Sequence, residues 1–525
     1  MPEHAPPGAA NERAYCLKRV RRNIVANYAG SVWTGVMAVA FIPVYIRCLG
    51  VEAYGLVGFY MTLFAAFSLF DMGLSPMLNR EMAQYSAGAR SLENCWTLLR
   101  SVECVLLIFA AVVCLTIGLS ASWLARNWLD SNTLSVASVA GALQVCGPII
   151  GLRLFESVYR SAVVGLQRQV WLNGMSAITA TLRWAGVVPV LLFVQDDVFT
   201  FFVWQAFASA VTLLLMRQAL GRWLPPPPPG TPRFRVSALR AVGSFSSGLM
   251  LNALLALLLK QSDKIVLSKL LSLEQFGIYM FAANIAGMLL RMRDPVAQAL
   301  YPRFSELATE EEGAPRIAAA FHKGTQLLAV TMGTATVMLV VFGEPLVALW
   351  SGDGGLAATV APVLALTAVG TLANGLMAIP YMLQLAHGWV SLSVRLNIAA
   401  VLVTVPAIFI AVPVYGMMGA AMVWASLNLI QLLGGGQLMF RRLLVAERWS
   451  WYGRDLLAPI GAAAATACAF QLMFSVPVDR SLVSLWLLSA AFLTLAVGVV
   501  ASSYGRPIVM SLLRSGRIFP LSGRL

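Results

Sequence analysis

Glu103, Arg183, Lys260, Asp263 and Lys264 fall inside long apolar runs of this 525-residue sequence. An ionised side chain at the centre of a bilayer costs about 2.5–3.5 kcal/mol on insertion scales, so such a residue faces a bundle interior or water. Arg183, in Ala180-Thr181-Leu182-Arg183-Trp184, is the deepest of them. Two readings stand for it: a structural ion pair, with Glu103 as a candidate partner, or an anion contact in a cavity. Asn252, Ala256, Lys260 and Lys264 repeat at helical spacing and form a polar stripe, with Asp263 three residues from Lys260. Asp263 is placed to neutralise Lys260 in a structural pair, while Lys264 and Lys269 lie near enough to a surface to snorkel. Lys260 is therefore the favoured contact for an anionic ligand among the three lysines. Arg47 and Lys269, at the outer ends of their segments, complete the candidate set.

Groups that break bonds are missing by pattern. The sequence has no Walker A loop, no HExxH, no nucleophile elbow, and only three histidines, His4, His322 and His387, far apart. No cofactor or metal is expected, and uphill movement of any cargo would have to draw on an H+ or Na+ gradient or on the cargo's own gradient. Asn284, Gln144 and Asn374, with Pro43, Pro295 and Pro380, read as interhelical hydrogen bonds and bends.

The elements that must hold these charges are membrane helices. The chain is 59% hydrophobic and 11% charged, with a mean hydropathy of +0.77. Apolar runs of about 20 residues, the length that spans a bilayer, number about fourteen; short alternating strands of a closed barrel are not seen. Most of the 37 Lys and Arg fall on one set of alternate connections, which places both termini on the cytoplasmic side. That bias accounts for the net charge of +14 without nucleic acid. The first helix is too long for a signal-peptide core and is expected to be retained. Seven cysteines show no CxxC pair and read as small buried hydrophobes.

A repeat organises the chain. Arg47-Cys48-Leu49-Gly50-Val51-Glu52-Ala53-Tyr54-Gly55 returns as Lys269-Leu270-Leu271-Ser272-Leu273-Glu274-Gln275-Phe276-Gly277, each copy between two apolar runs. Six runs precede the proline tract Pro225–Pro229, so the second copy keeps the orientation of the first, as in a parallel repeat about an axis along the membrane normal. The expected boundaries are a tail at 1–24, a first lobe at 25–217, a stiff linker at 218–243, a second lobe at 244–440, two added helices at 441–503 and a tail at 504–525. The fold class is all-α and polytopic: two six-helix lobes plus two C-terminal helices. The connection Tyr301 to Lys323 is expected to carry an interfacial helix or a solvated connector.

Asn27 before a first helix ending Pro43-Val44-Tyr45-Ile46-Arg47, then Leu49-Gly50 and Tyr54-Gly55, form one set of short motifs. Asp71-Met72-Gly73-Leu74 before Asn79-Arg80, and Ser262-Asp263-Lys264-Ile265 before Phe276-Gly277-Ile278-Tyr279, form another. In these motifs the sequence resembles the polysaccharide transporter family, the oligosaccharide flippases of the multidrug/oligosaccharidyl-lipid/polysaccharide exporter superfamily. The resemblance implies two lobes about a central cavity that opens alternately inward and outward in a bacterial inner membrane. It implies a cargo of oligosaccharide linked to undecaprenyl pyrophosphate, with a polysaccharide polymerase and glycosyltransferases as partners in the same pathway. Arg183 and Lys260 are where this sequence would meet the pyrophosphate. A peptidoglycan-precursor flippase would need a similar basic cavity; a drug or organic-cation exporter would rely on buried acids, which the deep bases outnumber here. A glycan polymerase or glycosyltransferase would show a large outer loop or a cytoplasmic catalytic domain, and neither is present in the sequence.

Overall fold

A computed structural model describes residues 26–27, 29–68, 74–232, 234–235, 261, 263–310 and 313–507. Asp71, Asn252, Ala256 and Lys260 lie outside them, as do most of the expected seventh span and the basic residues before residue 26. The described chain is helical, without β-strands, and contains twelve stretches long and apolar enough to cross a membrane. It divides into two units, residues 1–257 with 272–274, and residues 258–271 with 275–525.

The first unit contains α1 (Ala29–Leu49), α2 (Val51–Ser68), α3 (Leu74–Ser86), α4 (Leu92–Trp128), α5 (Val136–Gly165), α6 (Gln169–Phe193) and α7 (Val198–Trp223). Capping residues written in the sequence start several of these. Ser91, Ser135 and Asp197 each accept a backbone N–H from the first turn of α4, α5 and α7, at 3.3, 3.1 and 2.7 Å. Glu52 of the repeat motif has a related task across elements: its carboxylate accepts the backbone N–H groups of Asn132, Thr133 and Leu134 at 2.7, 2.9 and 3.1 Å, pinning the α4–α5 connection to the start of α2. Its repeat counterpart Glu274 is exposed, so the two copies have diverged in use at this position.

In lipid, helices gain nothing from exchanging one apolar neighbour for another, so close approach and van der Waals packing decide which pairs form. Gly147 and Gly151, one turn apart on α5, allow this: a Cβ there would stand 2.9 Å from the Cα of Cys114 and 3.0 Å from the Cβ of Ala110 on α4. The outward faces carry exposed Leu107, Ile108, Leu115 and Leu119, as a lipid-facing surface should.

The helices overrun two expected boundaries. α5 continues past Leu152 to Gly165, so Arg153 and Arg160 are helical rather than in an inner connection; their guanidinium groups find partners inside the unit, which lets the helix continue. α7 runs to Trp223, beyond the boundary at 217, because Ala219 and Leu220 are buried. The proline tract that follows is strapped to α4. Trp96 Nε1 donates to the Pro225 carbonyl at 2.8 Å, Arg100 to the Thr231 carbonyl at 3.4 Å, and the Arg235 N–H to Ser101 Oγ at 3.0 Å.

The second unit contains α8 (Leu273–Leu307), α9 (Gly313–Val341), α10 (Gly343–Ser351), α11 (Gly354–Ala386), α12 (Val390–Phe440), α13 (Val445–Met473) and α14 (Arg480–Ala501). Among the described residues, the connection Tyr301 to Lys323, expected as an interfacial helix or a solvated connector, forms no separate helix: α8 and α9 take it up, with Ile317, Phe321 and His322 buried in α9. α12 is two antiparallel arms rather than one rod. Gly416, at φ 56° and ψ −139°, breaks it, and Ala400 of one arm packs on Leu427 of the other. Elsewhere in the unit, His322 Nδ1 meets Asp455, its Nε2 lies 2.9 Å from Glu447, and Gln326 donates to Asp455 at 2.6 Å and to Ser503 at 2.8 Å. This polar knot ties α9 to the last two helices. Of the cysteines, Cys95 and Cys146 are buried as expected, whereas Cys468 is exposed on the apolar α13.

Candidate functional site: a basic cluster in the first unit

The charges that matter gather on one face of α5. Arg153, Glu156 and Arg160 follow each other by three and four residues, which stacks them along a helix. Glu156 is buried, and Arg183 of α6 reaches it with Nη2 at 3.0 Å from Oε2. Arg160 approaches the other carboxylate oxygen at 3.7 Å. Arg153 donates to the Tyr60 hydroxyl at 3.1 Å and lies over the ring of Phe64 at 4.1 Å from its centroid, both on α2. It also stands within electrostatic range of Glu156. Three guanidinium groups thus stand around a single buried carboxylate, with Arg160 at the part-exposed edge of the cluster.

The local backbone explains how Arg183 is held. α6 pauses at Ala185 and Gly186, just ahead of Pro189, which has no N–H to give back. Carbonyls freed by the pause must be satisfied within the protein at membrane depth. Trp204 Nε1 donates to the Leu182 carbonyl at 2.9 Å, Gln205 Nε2 to that of Arg183 at 3.2 Å, and the Tyr45 hydroxyl to that of Trp184. Gly186 is required there, since a Cβ would stand 2.8 Å from the Trp204 ring. Ser209, fully buried on α7, takes a second contact from Arg183 Nη2 at 3.4 Å, while Arg183 Nε has no hydrogen-bond partner.

The expected pairing of Arg183 with Glu103 is corrected: Glu156 is the partner, and Glu103 instead accepts from the Tyr159 hydroxyl. Glu156 lies beyond Leu152, where the apolar run ends in the sequence, and so falls outside the expected helix; the three-and-four spacing of Arg153, Glu156 and Arg160 is the signal that could have found it. Arg47 is exposed at the end of α1. In the second unit, Asp263 is buried, accepts from the Tyr279 hydroxyl at 2.9 Å and pairs with Lys264 at 3.7 Å. Its expected pairing with Lys260 falls on a residue outside those described. Lys269 is exposed. Among the described residues no group of His, Cys, Asp and Glu could hold a metal ion.

Residues 20–308, more than half of the sequence, match the family described as Polysaccharide biosynthesis protein. The chain belongs to that family. No curated protein matches it in sequence. Among solved structures, the lipid II flippase MurJ in an inward closed conformation aligns with a TM-score of 0.65 at 10% identity, over 93% of this chain and 99% of that one. An inward-facing multidrug resistance MATE family transporter of the MOP superfamily aligns with a TM-score of 0.59 at 15% identity, over 81% of this chain and 95% of that one. The MATE multidrug transporter DinF-BH gives 0.54 at 15% identity, over 81% of this chain and 95% of that one. This member of the polysaccharide biosynthesis protein family is therefore a multi-pass membrane protein with the fold of MOP-superfamily transporters.

Proposed function

We propose that this chain is a flippase carrying an oligosaccharide linked to undecaprenyl pyrophosphate from the cytoplasmic to the outer leaflet of a bacterial inner membrane. The observation that carries the reading is the surplus of guanidinium groups around Glu156. A pyrophosphate is poorly tolerated in hydrocarbon, and arginine offers it planar, bidentate, permanently charged donors. A cationic cargo would instead need surplus carboxylates. Membership of a polysaccharide biosynthesis family supports a saccharide cargo, and a MOP-type fold supports movement by alternating access about a site inside the bilayer. On this reading Arg153 and Arg160, only partly buried, contact the phosphates, while Arg183 is held by Glu156 and supports the field. Both termini are cytoplasmic, in line with the distribution of bases. Work for net export comes from an H+ or Na+ gradient or from consumption of the product by a polymerase on the outer side.

Mass spectrometry of polyprenyl-linked glycans in cells lacking the protein tests this. One undecaprenyl-pyrophosphate oligosaccharide should build up and fall again on restoration, and Arg153→Gln, expressed at normal abundance, should restore export at least tenfold less well, about the worth of one charge-assisted hydrogen bond. Intact surface glycan with no build-up would reject the cargo. Collapse of the proton or sodium gradient with selective ionophores should slow export if either ion drives it.

A further inference from the structure

The two arms of α12 enclose a cavity of about 630 Å³, within the range of sites that hold small organic ligands. Its wall is graded. From Ala400 and Val403 to Leu427 it is apolar, while at the end away from Gly416 it carries Gln431, Gln437 and Arg441. Val403 and Ile430 are exposed beside it, so it opens on the lipid-facing surface. The polar end is built by the backbone: residues Gln431–Gly435 widen into a single π turn, and Gly434 and Gly435 place no side chain in the space. The Tyr452 hydroxyl donates to the Leu432 and Leu433 carbonyls at 3.0 and 2.9 Å, which supports the widened turn. Such turns recur at functional sites.

Polar atoms in this cavity lack partners. Gln431 Nε2, Gln437 Oε1 and, farther in, Thr404 Oγ1 are buried without a hydrogen bond, and Thr404 is only 2% exposed. Each such atom costs about 1–3 kcal/mol unless something meets it. Arg395 and Arg442 stand at the same end of the hairpin as Arg441, and Arg442 lies over Trp389 at 4.9 Å, as interfacial anchors do.

We propose that this cavity is a binding site for an anionic glycerophospholipid, with its phosphate on Arg441, an ester carbonyl accepting from Gln431 Nε2, a headgroup hydroxyl donating to Gln437 Oε1 and an acyl chain against Val403 and Leu427. Charge complementarity selects an anionic headgroup over a zwitterionic one. Gln431 selects a phospholipid over the polyprenyl tail of the cargo: its unpartnered Nε2 needs an acceptor inside the cavity, which an ester carbonyl supplies, and a polyprenyl chain has none beyond its phosphate. The site does not depend on the flippase reading.

Native mass spectrometry of the purified full chain, offered phosphatidylglycerol, phosphatidylcholine or a polyprenyl phosphate, tests it without any transport assay. Phosphatidylglycerol should be retained about tenfold over phosphatidylcholine, and polyprenyl phosphate should not displace it at equal concentration. Arg441→Gln should abolish the headgroup preference, and Gln431→Leu should lower retention of phosphatidylglycerol while leaving that of polyprenyl phosphate unchanged, with elution and melting showing each variant folded. Equal retention of the two phospholipids by the unmodified chain, or displacement by polyprenyl phosphate, overturns the proposal; the comparison on the unmodified chain decides even if a variant does not fold.

Discussion

Arg183 and Arg153 share a carboxylate neighbour yet should respond differently to substitution. Removing Arg183 takes from buried Glu156 its hydrogen-bonded partner and leaves it only Arg153 and the more distant Arg160 in electrostatic range, and breaking a buried pair in this way costs about 3–5 kcal/mol. Arg183→Ala should therefore lower the melting temperature in detergent, and Glu156→Met combined with Arg183→Met should recover most of the loss, since removing both charges together is often close to neutral. If the double variant melts as low as Arg183→Ala, the pair is not what stabilises this region. Arg153→Gln, which loses the stacking on the Phe64 ring but keeps an amide that can still donate to the Tyr60 hydroxyl, should lower melting less than Arg183→Ala and act chiefly on export. The depth of Arg183 is legible in the sequence because charge is rare in apolar runs. Its partner is not, because Arg153 and Arg160 read as loop bases until the buried contacts that retain them in the helix are seen.

Single helices here begin where the sequence places a capping side chain. Asp479 accepts the Ser481 N–H at 3.0 Å and its hydroxyl at 2.9 Å at the start of α14. These two bonds, the N–H first, hold its carboxyl below its ordinary value of 3.8. A depressed carboxylate stabilises the fold above its unfolded pKa, and that contribution disappears as the pH falls through the folded value. Asp479→Ala should thus lower the melting temperature slightly at pH 7, with the difference from the unmodified protein narrowing as the pH falls below 3.8 and through the lower folded value; a difference that does not narrow over that fall would show that the carboxylate charge is not its source. The break of α12 is also legible, from Pro413 and Gly416 between two apolar runs. The π turn at 431–435 is not: three successive glycines permit many backbones, and it is Tyr452, twenty residues on, that holds the carbonyls of this one.

At the scale of the whole chain, the repeated motif and the apolar runs predict a duplicated membrane protein, whereas side-chain partners across elements had to come from the structure. The proline tract reads in the sequence as a stiff linker, and its hydrogen bonds to α4 make it a strap as well. Trp96→Ala should release it, which limited proteolysis would report as faster cleavage between residues 225 and 235 at unchanged melting temperature; unchanged cleavage would mean that Arg100 and Ser101 suffice. The strap also bears on how such a protein is made. Every partner it uses lies between residues 92 and 235, so this clasp can close as soon as residue 235 has left the ribosome. A growing chain could therefore fasten its first half before most of the second has been synthesised, and the early helices would be protected from mispairing with their later repeats during insertion.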